Sequence, residues 1–266
     1  MPSNLDDPLP NGSAAAGMRR EADAFFAALE QSPPDACCGC AGWTAHELVA
    51  HLVAAAVEVA LNLEAYGEGR PVPATRGFEA REAPWRAHDP IGLRHELPGA
   101  LGRMCDAVDA VLAEEPDAVV PWTGRQMEVA AFVTHLRSEL ALHRFDLVGD
   151  DEDGTALLAQ PELTLHAATV LARPLLARGS RARTGRGEPV RLTLASPGEP
   201  DVTVVVDGGS ARLELEPTGA AELAVRCDPA ARLLVLWGRR PGDPRRLRAP
   251  GGAATLGLLQ GLLAGY

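Results

Sequence analysis

Residues 43–52 read WTAHELVAHL, and this stretch predicts the first turns of a long buried helix. Thr44 and Glu47 have the spacing of a capping box, in which two side chains satisfy the free backbone N–H groups at a helix start. Apolar residues continue to about Leu63, so a helix is predicted from Ala45 onward. His51 lies inside this apolar run, where a buried imidazole needs a polar partner or a metal.

A second motif, ELALHRFDL, begins at Glu139. On a helix, Glu139 and His143 lie on one face, one turn apart. Together with His51 they would supply two imidazoles and a carboxylate, a set that leaves one position of a tetrahedral zinc site open. From spacing alone, a solvated Glu–His pair and a core histidine explain the same residues. His135 and Glu47 repeat the four-residue spacing, since they precede Glu139 and His51 by one turn.

The length, the net charge and the distribution of apolar residues limit the functional classes that fit this chain. The chain has 266 residues, which is long enough for two domains. Its formal net charge of −11 argues against a general nucleic-acid-binding protein, which would carry a basic surface. No apolar run reaches the roughly 18 to 20 residues of a membrane span. Residues 1–17 lack the pattern of a signal peptide, so a cytoplasmic protein is expected.

The patterning predicts an α + α+β architecture with three parts. Residues 1–15 are expected to be a disordered lead-in, residues 16–155 a four-helix bundle, and residues 156–266 a smaller α+β domain with a mainly antiparallel sheet. The predicted bundle helices are Met18–Leu29, a helix from Ala45 to about Leu63, Ile91–Glu114 with an interruption near Pro98, and Val129–Val148; Gly67–Pro90 is predicted to be a long surface loop.

In the second half, short β-branched runs separated by turn signals predict strands. The predicted elements are a helix over Pro161–Arg178, strands at Val190–Ala195, Val202–Val206, Ala211–Leu215 and Glu222–Cys227, a helix capped by Asp228 through Leu236, and a final helix over Ala253–Ala264.

The five cysteines are an odd number and do not suggest a disulfide framework. Cys37, Cys38 and Cys40 cluster before the first motif, but no second CxxC or Cys/His pair stands at zinc-ribbon spacing. We interpret them as thiols in a loop, and their role is left open.

Both motifs resemble a known enzyme family. The segments GWT at 42–44 and ELVAHL at 47–52 resemble the helix start of the mycothiol-dependent maleylpyruvate isomerases and their DinB-like relatives, and Cys40 stands where that pattern often has a cysteine. The pattern E-x-x-x-H-x-x-D-L from Glu139 resembles the second family signature. LVLWGR at 234–239, with the closing helix, resembles the sterol-carrier-like C-terminal domain of the family.

The resemblance implies roles for particular residues. His51, Glu139 and His143 would be metal ligands, for zinc or another divalent metal. Asp146 would orient a ligand imidazole; a salt bridge or a contact at the helix end is the alternative. Arg239 would hold a substrate carboxylate in a cleft between the domains, while a solvated surface arginine explains it equally well.

The resemblance also implies a chemistry. Mycothiol would be activated as a metal-bound thiolate and would act on a small electrophilic substrate. Addition and elimination would isomerise a maleylpyruvate-type cis double bond, whereas retention of the thiol would make the protein an S-transferase. A zinc-bearing ligand-binding or regulatory module without turnover is the alternative, and a metal-free bundle with core histidines is the third. No nucleic-acid or membrane partner is expected, and monomer and dimer both stay open.

Overall fold

The computed structural model describes residues 9, 12–171, 176, 179, 189–207, 210–217, 219 and 224–263. The chain divides into two units, Met1–Val148 and Gly149–Tyr266. The elements of the first unit are helices α1 (Ser13–Glu30), α2 (Ala45–Gly67), α3 (Phe78–Arg86) and α4 (Pro90–Glu114), strands β1 (Val119–Trp122) and β2 (Arg125–Glu128), and helix α5 (Ala131–Val148). The long helices α1, α2, α4 and α5 pack on one another as the predicted bundle.

Helix α1 begins at Ser13, inside the segment predicted as a disordered lead-in. The first N–H groups of a helix have no partner within the helix. Here the N–H of Ala14 donates to Asp109 Oδ1 of α4 at 3.0 Å, so the neighbouring helix caps α1. This cap comes from far along the chain, which explains why local sequence did not predict it. Residues 1–8, 10 and 11 lie outside the described residues.

Helix α2 is the centre of the bundle. Thr44 and Glu47 form both hydrogen bonds of the predicted capping box. The helix Ala45–Gly67 is long and apolar enough to cross a membrane, but 83% of its most apolar window is buried inside the protein. Packing in the bundle core therefore accounts for its hydrophobicity.

Two predictions in the first unit were wrong. The segment Gly67–Pro90 is not entirely a loop, because it contains α3. Helix α4 runs through Pro98 without the predicted interruption. Leu97 and Leu101, on either side of this proline, are fully buried, so tertiary packing holds the helix together across the missing N–H donor.

A hairpin that the sequence analysis missed leads into α5. Strands β1 and β2 pair antiparallel from Val119↔Glu128 to Trp122↔Arg125. Thr123 and Gly124 connect them with φ values of 48° and 78°, the left-handed conformation that two-residue hairpin turns require.

The second unit contains helices and one sheet. Its elements are α6 (Glu152–Leu158), α7 (Pro161–His166) continued by a π-helical turn (Ala167–Leu171), strands β3 (Val190–Ala195), β4 (Asp201–Asp207), β5 (Ser210–Glu216) and β6 (Ala224–Cys227), helix α8 (Pro229–Leu236), strand β7 (Leu247–Arg248) and helix α9 (Ala253–Leu262). The strand order is β5-β4-β3-β6-β7, with β3 and β6 parallel and the other neighbours antiparallel.

The predicted fold class, a helical bundle followed by an α+β domain with a mainly antiparallel sheet, is confirmed. Asp228 caps α8 as predicted, through a hydrogen bond from the N–H of Ala231. Of the predicted helix Pro161–Arg178, residues 172–175, 177 and 178 lie outside the described residues. So do residues 222 and 223 of the predicted strand Glu222–Cys227 and residue 264 of the last helix.

Candidate metal centre

The side chains of His51, Glu139 and His143 converge in the core of the first unit. His51 is carried by α2, while Glu139 and His143 stand one turn apart on α5. His51 Nε2 lies 3.6 Å from Glu139 Oε2, and His143 Nε2 lies 3.2 Å from the same oxygen. One donor atom from each residue lies within 4.8 Å of the other two, and all three residues are buried. The fold thus brings together the two motifs.

A carboxylate holds each imidazole from the opposite side. His51 Nδ1 lies 2.7 Å from Glu82 Oε1, and His143 Nδ1 lies 2.8 Å from Asp146 Oδ2. An ionised carboxylate only accepts hydrogen bonds, so Nδ1 donates in both rings. When each imidazole is neutral, its only N–H is at Nδ1. The lone pair on Nε2 then faces Glu139. Carboxylate–histidine pairs of this kind orient imidazoles toward metals.

Glu82 is the residue of the site that the sequence analysis missed. It is carried by α3 and is fully buried, with Oε2 accepting from Arg86 at 2.6 Å and Oε1 from Arg81 at 3.4 Å. The charge spacing of Glu82 and Arg86, one helical turn apart, was the available signal. Pro84 and the flanking glycines obscured this signal by favouring a loop.

Asp146 connects the site to the cysteine-containing loop. The Cys40 thiol donates to Asp146 Oδ2 at 3.1 Å, and the N–H of Gly39 donates to the Asp146 carbonyl at 2.7 Å. A Cβ on Gly39 would lie 3.1 Å from Asp146 Cα, a tight contact, so this close approach of loop and helix favours glycine. A hydrogen bond with Cys40 lowers the pKa of Cys38 to about 7. Cys37 is exposed.

Trp43 covers the two imidazoles. Its ring centroid lies 5.3 Å from that of His51, and it stacks on His143 at 6.4 Å with an interplanar angle of 23°. The indole thus forms an apolar wall beside both rings. Such a wall limits access of water and lowers the local dielectric constant.

The electrostatics of the centre favour a cation. Burial opposes protonation of His143, but Asp146 and Glu139 outweigh it and raise its pKa to about 9. Burial also acts to raise the pKa of Glu139, yet His143 and His51 hold it well below the usual value. Burial raises the pKa of Glu82 too, but His51, Arg81 and Arg86 leave it lowered. Three ionised carboxylates around two imidazoles stabilise positive charge between them.

The other residues named from the sequence are not among the three converging donors. His135 Nε2 lies 3.6 Å from Glu139 Oε1, the oxygen that faces away from the other two histidines, and burial lowers the pKa of His135 to about 4. Glu47 is used in capping α2. Arg239 belongs to the second unit, where its guanidinium donates to the Trp237 carbonyl at 3.1 Å.

Comparisons with known proteins identify a family and a fold that this chain shares. Residues 15–148 match the family described as the mycothiol maleylpyruvate isomerase N-terminal domain. Two crystal structures, of the mycothiol-dependent maleylpyruvate isomerase and of a histidine-to-alanine mutant of it, each superpose with a TM-score of 0.60 at 16% identity, covering 92% of this chain and 94% of the other. No curated protein sequence gives a significant match.

Proposed function

This chain belongs to the mycothiol maleylpyruvate isomerase family, a family of enzymes, and from this membership we propose that it is a zinc-dependent isomerase that uses mycothiol to convert maleylpyruvate from the cis to the trans form. The observation that carries the proposal is the convergence of His51, Glu139 and His143, with the Nδ1 of each histidine held by a carboxylate.

The residues present fit a divalent metal. His143 Nε2 is buried, and its contact with Glu139 Oε2 at 3.2 Å does not have hydrogen-bond geometry, although the ring is oriented from its other side by Asp146. A buried polar atom without a partner is costly unless a ligand satisfies it. Two imidazoles and one carboxylate are the donor set of open catalytic zinc sites. His51, Glu139 and His143 would hold the ion, and a fourth position would be left for a ligand.

A bound ion would stabilise the thiol of mycothiol in its ionised form, the thiolate. A free thiol has a pKa of about 8.5 and is only slightly ionised at neutral pH. The chemistry supplied to the site would be reversible addition of this thiolate to the cis double bond, which would permit bond rotation and would return the thiol unconsumed on elimination.

The surrounding side chains orient the two imidazoles and exclude water from them. Glu82 and Asp146 keep the proton on Nδ1 of each ligand imidazole, and they prevent rotation of the rings. Trp43 shields the imidazoles from water. Arg239 stays a predicted binding residue for a substrate carboxylate, and Arg239→Gln is expected to raise KM for maleylpyruvate with little change in metal content.

The test begins with metal content. Purified wild-type protein is expected to contain about one zinc per chain by mass spectrometry. His51→Ala, Glu139→Ala and His143→Ala should each lose it while staying folded by circular dichroism. His135→Ala is the matched control, because His135 is buried on the same helix and next to Glu139 but faces its other oxygen. A folded wild type that neither contains nor takes up zinc would overturn the proposal.

Activity is then measured with maleylpyruvate and mycothiol. The proposal requires product formation that depends on the thiol while the free thiol concentration stays constant. A thiol consumed in equal amount with the substrate would identify an S-transferase instead. Zinc without any turnover would favour a binding module.

A further inference from the structure

The second unit contains a cavity of about 520 Å³ beside the ends of β3, β6 and β7. This volume lies within the range of small-molecule sites. Arg226 and Arg248 line it together with Ala195, Pro197 and Cys227. All of these residues belong to the second unit, whereas the three candidate metal ligands belong to the first.

Two arginines stand directly opposite each other at this cavity. Arg226 of β6 pairs in register with Arg248 of β7, and the strands are antiparallel. Directly opposed residues project from the same face of a sheet with Cβ atoms about 5 Å apart. Like charges in this position repel each other and destabilise the sheet.

The other two arginines that line this cavity, Arg245 and Arg246, are paired with carboxylates. Arg246 donates to both oxygens of Asp228, at 2.8 and 2.7 Å, and also to Asp150. Arg245 forms a fork on Asp243, with contacts of 2.8 to 3.1 Å. By contrast, within the part of the chain that the structure describes, Arg226 and Arg248 have no ion pair with any carboxylate.

We infer that this cavity binds a small organic anion, whose carboxylate or phosphate group is held between the guanidinium groups of Arg226 and Arg248. An oxyanion between two guanidinium groups would receive charge-assisted hydrogen bonds from both and would convert their repulsion into attraction.

The remaining lining residues of the cavity indicate the chemistry of the part of the ligand that carries no charge. Ala195 and Pro197 are apolar, and burial raises the pKa of the Cys227 thiol to about 11, so this wall is uncharged at neutral pH. Asp201 lines the cavity from β4, on the far side of β3 from β6. The lining carries the arginines Arg226, Arg245, Arg246 and Arg248 against the aspartates Asp201 and Asp228, so its net charge favours an anion. A ligand with an apolar body would place its anionic group near Arg226 and Arg248.

The test uses the full chain, with benzoate and phenyl phosphate as probes and isothermal titration calorimetry as the readout. Benzamide, which has nearly the shape of benzoate without its charge, is the ligand control. At least one aromatic anion should bind saturably and more tightly than benzamide, and the tighter of the two identifies the preferred group. Inorganic phosphate tests whether charge alone is sufficient, and it should bind more weakly than the phenyl ester.

Arg226→Gln and Arg248→Gln should each weaken binding about tenfold or more, as expected for loss of charge-assisted hydrogen bonds. Arg212→Gln is the matched control, because Arg212 is an exposed arginine of the same sheet that is paired with Glu214. Without ligand, Arg248→Gln should unfold at the same temperature as the wild type or higher, since it removes the repulsion. Absence of saturable binding by both aromatic anions, or equal weakening by Arg212→Gln, would overturn the inference.

Discussion

The variant Glu82→Gln tests whether α3 contributes to the metal centre. Glu82 is fully buried, and its carboxylate accepts from His51 Nδ1 at 2.7 Å and from Arg86 at 2.6 Å. Glutamine keeps the size of the side chain and can still accept from His51, but it removes the negative charge. Charge-assisted hydrogen bonds are roughly twice as strong as neutral ones. The change therefore weakens the orientation of His51 without opening a cavity.

The expected loss of zinc affinity is about 10- to 100-fold, the usual effect of changing a residue that orients a metal ligand. This corresponds to about 1.4 to 2.8 kcal/mol of binding free energy. Competition with a chromogenic chelator measures the affinity, and circular dichroism shows whether the helices are retained.

Glu79→Gln is the control for charge on the same helix. Glu79 also accepts a hydrogen bond from Arg86, at 2.9 Å, but its side chain is 80% exposed and lies away from His51. Its replacement should leave the zinc affinity unchanged. If Glu82→Gln binds zinc as tightly as the wild type, or if Glu79→Gln weakens binding equally, the assignment of Glu82 as the orienting group of His51 is refuted.

Three further predictions concern α5. Asp146→Asn should lower zinc affinity by about 10- to 100-fold as well, because it removes the charge behind His143; the same chelator competition checks this. Phe132→Ala should cost about 3 to 5 kcal/mol of unfolding free energy in urea, since the ring is fully buried, whereas Ile91→Ala, at a side chain 70% exposed, should cost little. His135 has a folded pKa of about 4, below the ordinary 6.5, so its neutral form favours the native state above pH 6.5 and that stability is lost as the pH falls toward 4. His135→Leu should therefore lose less stability over this pH window than the wild type, by up to about 3 kcal/mol, in urea unfolding at several pH values.

The parts of the fold with strong local signals could be predicted from the sequence. The capping box of Thr44 and Glu47 fixed the start of α2, and the strand Val190–Ala195 has the predicted bounds. The elements that were missed depend on distant residues. Helix α1 begins early because Asp109 of another helix caps it, and α4 continues through Pro98 because the leucines beside it are buried.

The residues of the candidate site also divide into those with a local sequence signal and those whose role depends on distant contacts. His51, Glu139 and His143 stand in motifs with helical spacing, so a shared site could be anticipated from the family resemblance. Glu82 could not, because its role depends on a contact with His51 across 31 positions of sequence. Gly39 is similar, since the preference for glycine at this position arises from the close approach of Asp146.

Helix α3 has an unusual packing surface, because its buried residues are the charged pair Arg81 and Glu82. Its attachment to α2 includes the hydrogen bond from His51 to Glu82, a hydrogen bond between His46 and the Arg86 carbonyl at 3.0 Å, and the approach of Arg81 to Glu58. Polar contacts of this kind resist local opening less than a hydrophobic core does, and salt weakens those that solvent reaches. The amide hydrogens of α3 should therefore exchange with solvent through a sub-global opening, well before those of α2. The segment that orients His51 should then open before the helix that carries His51.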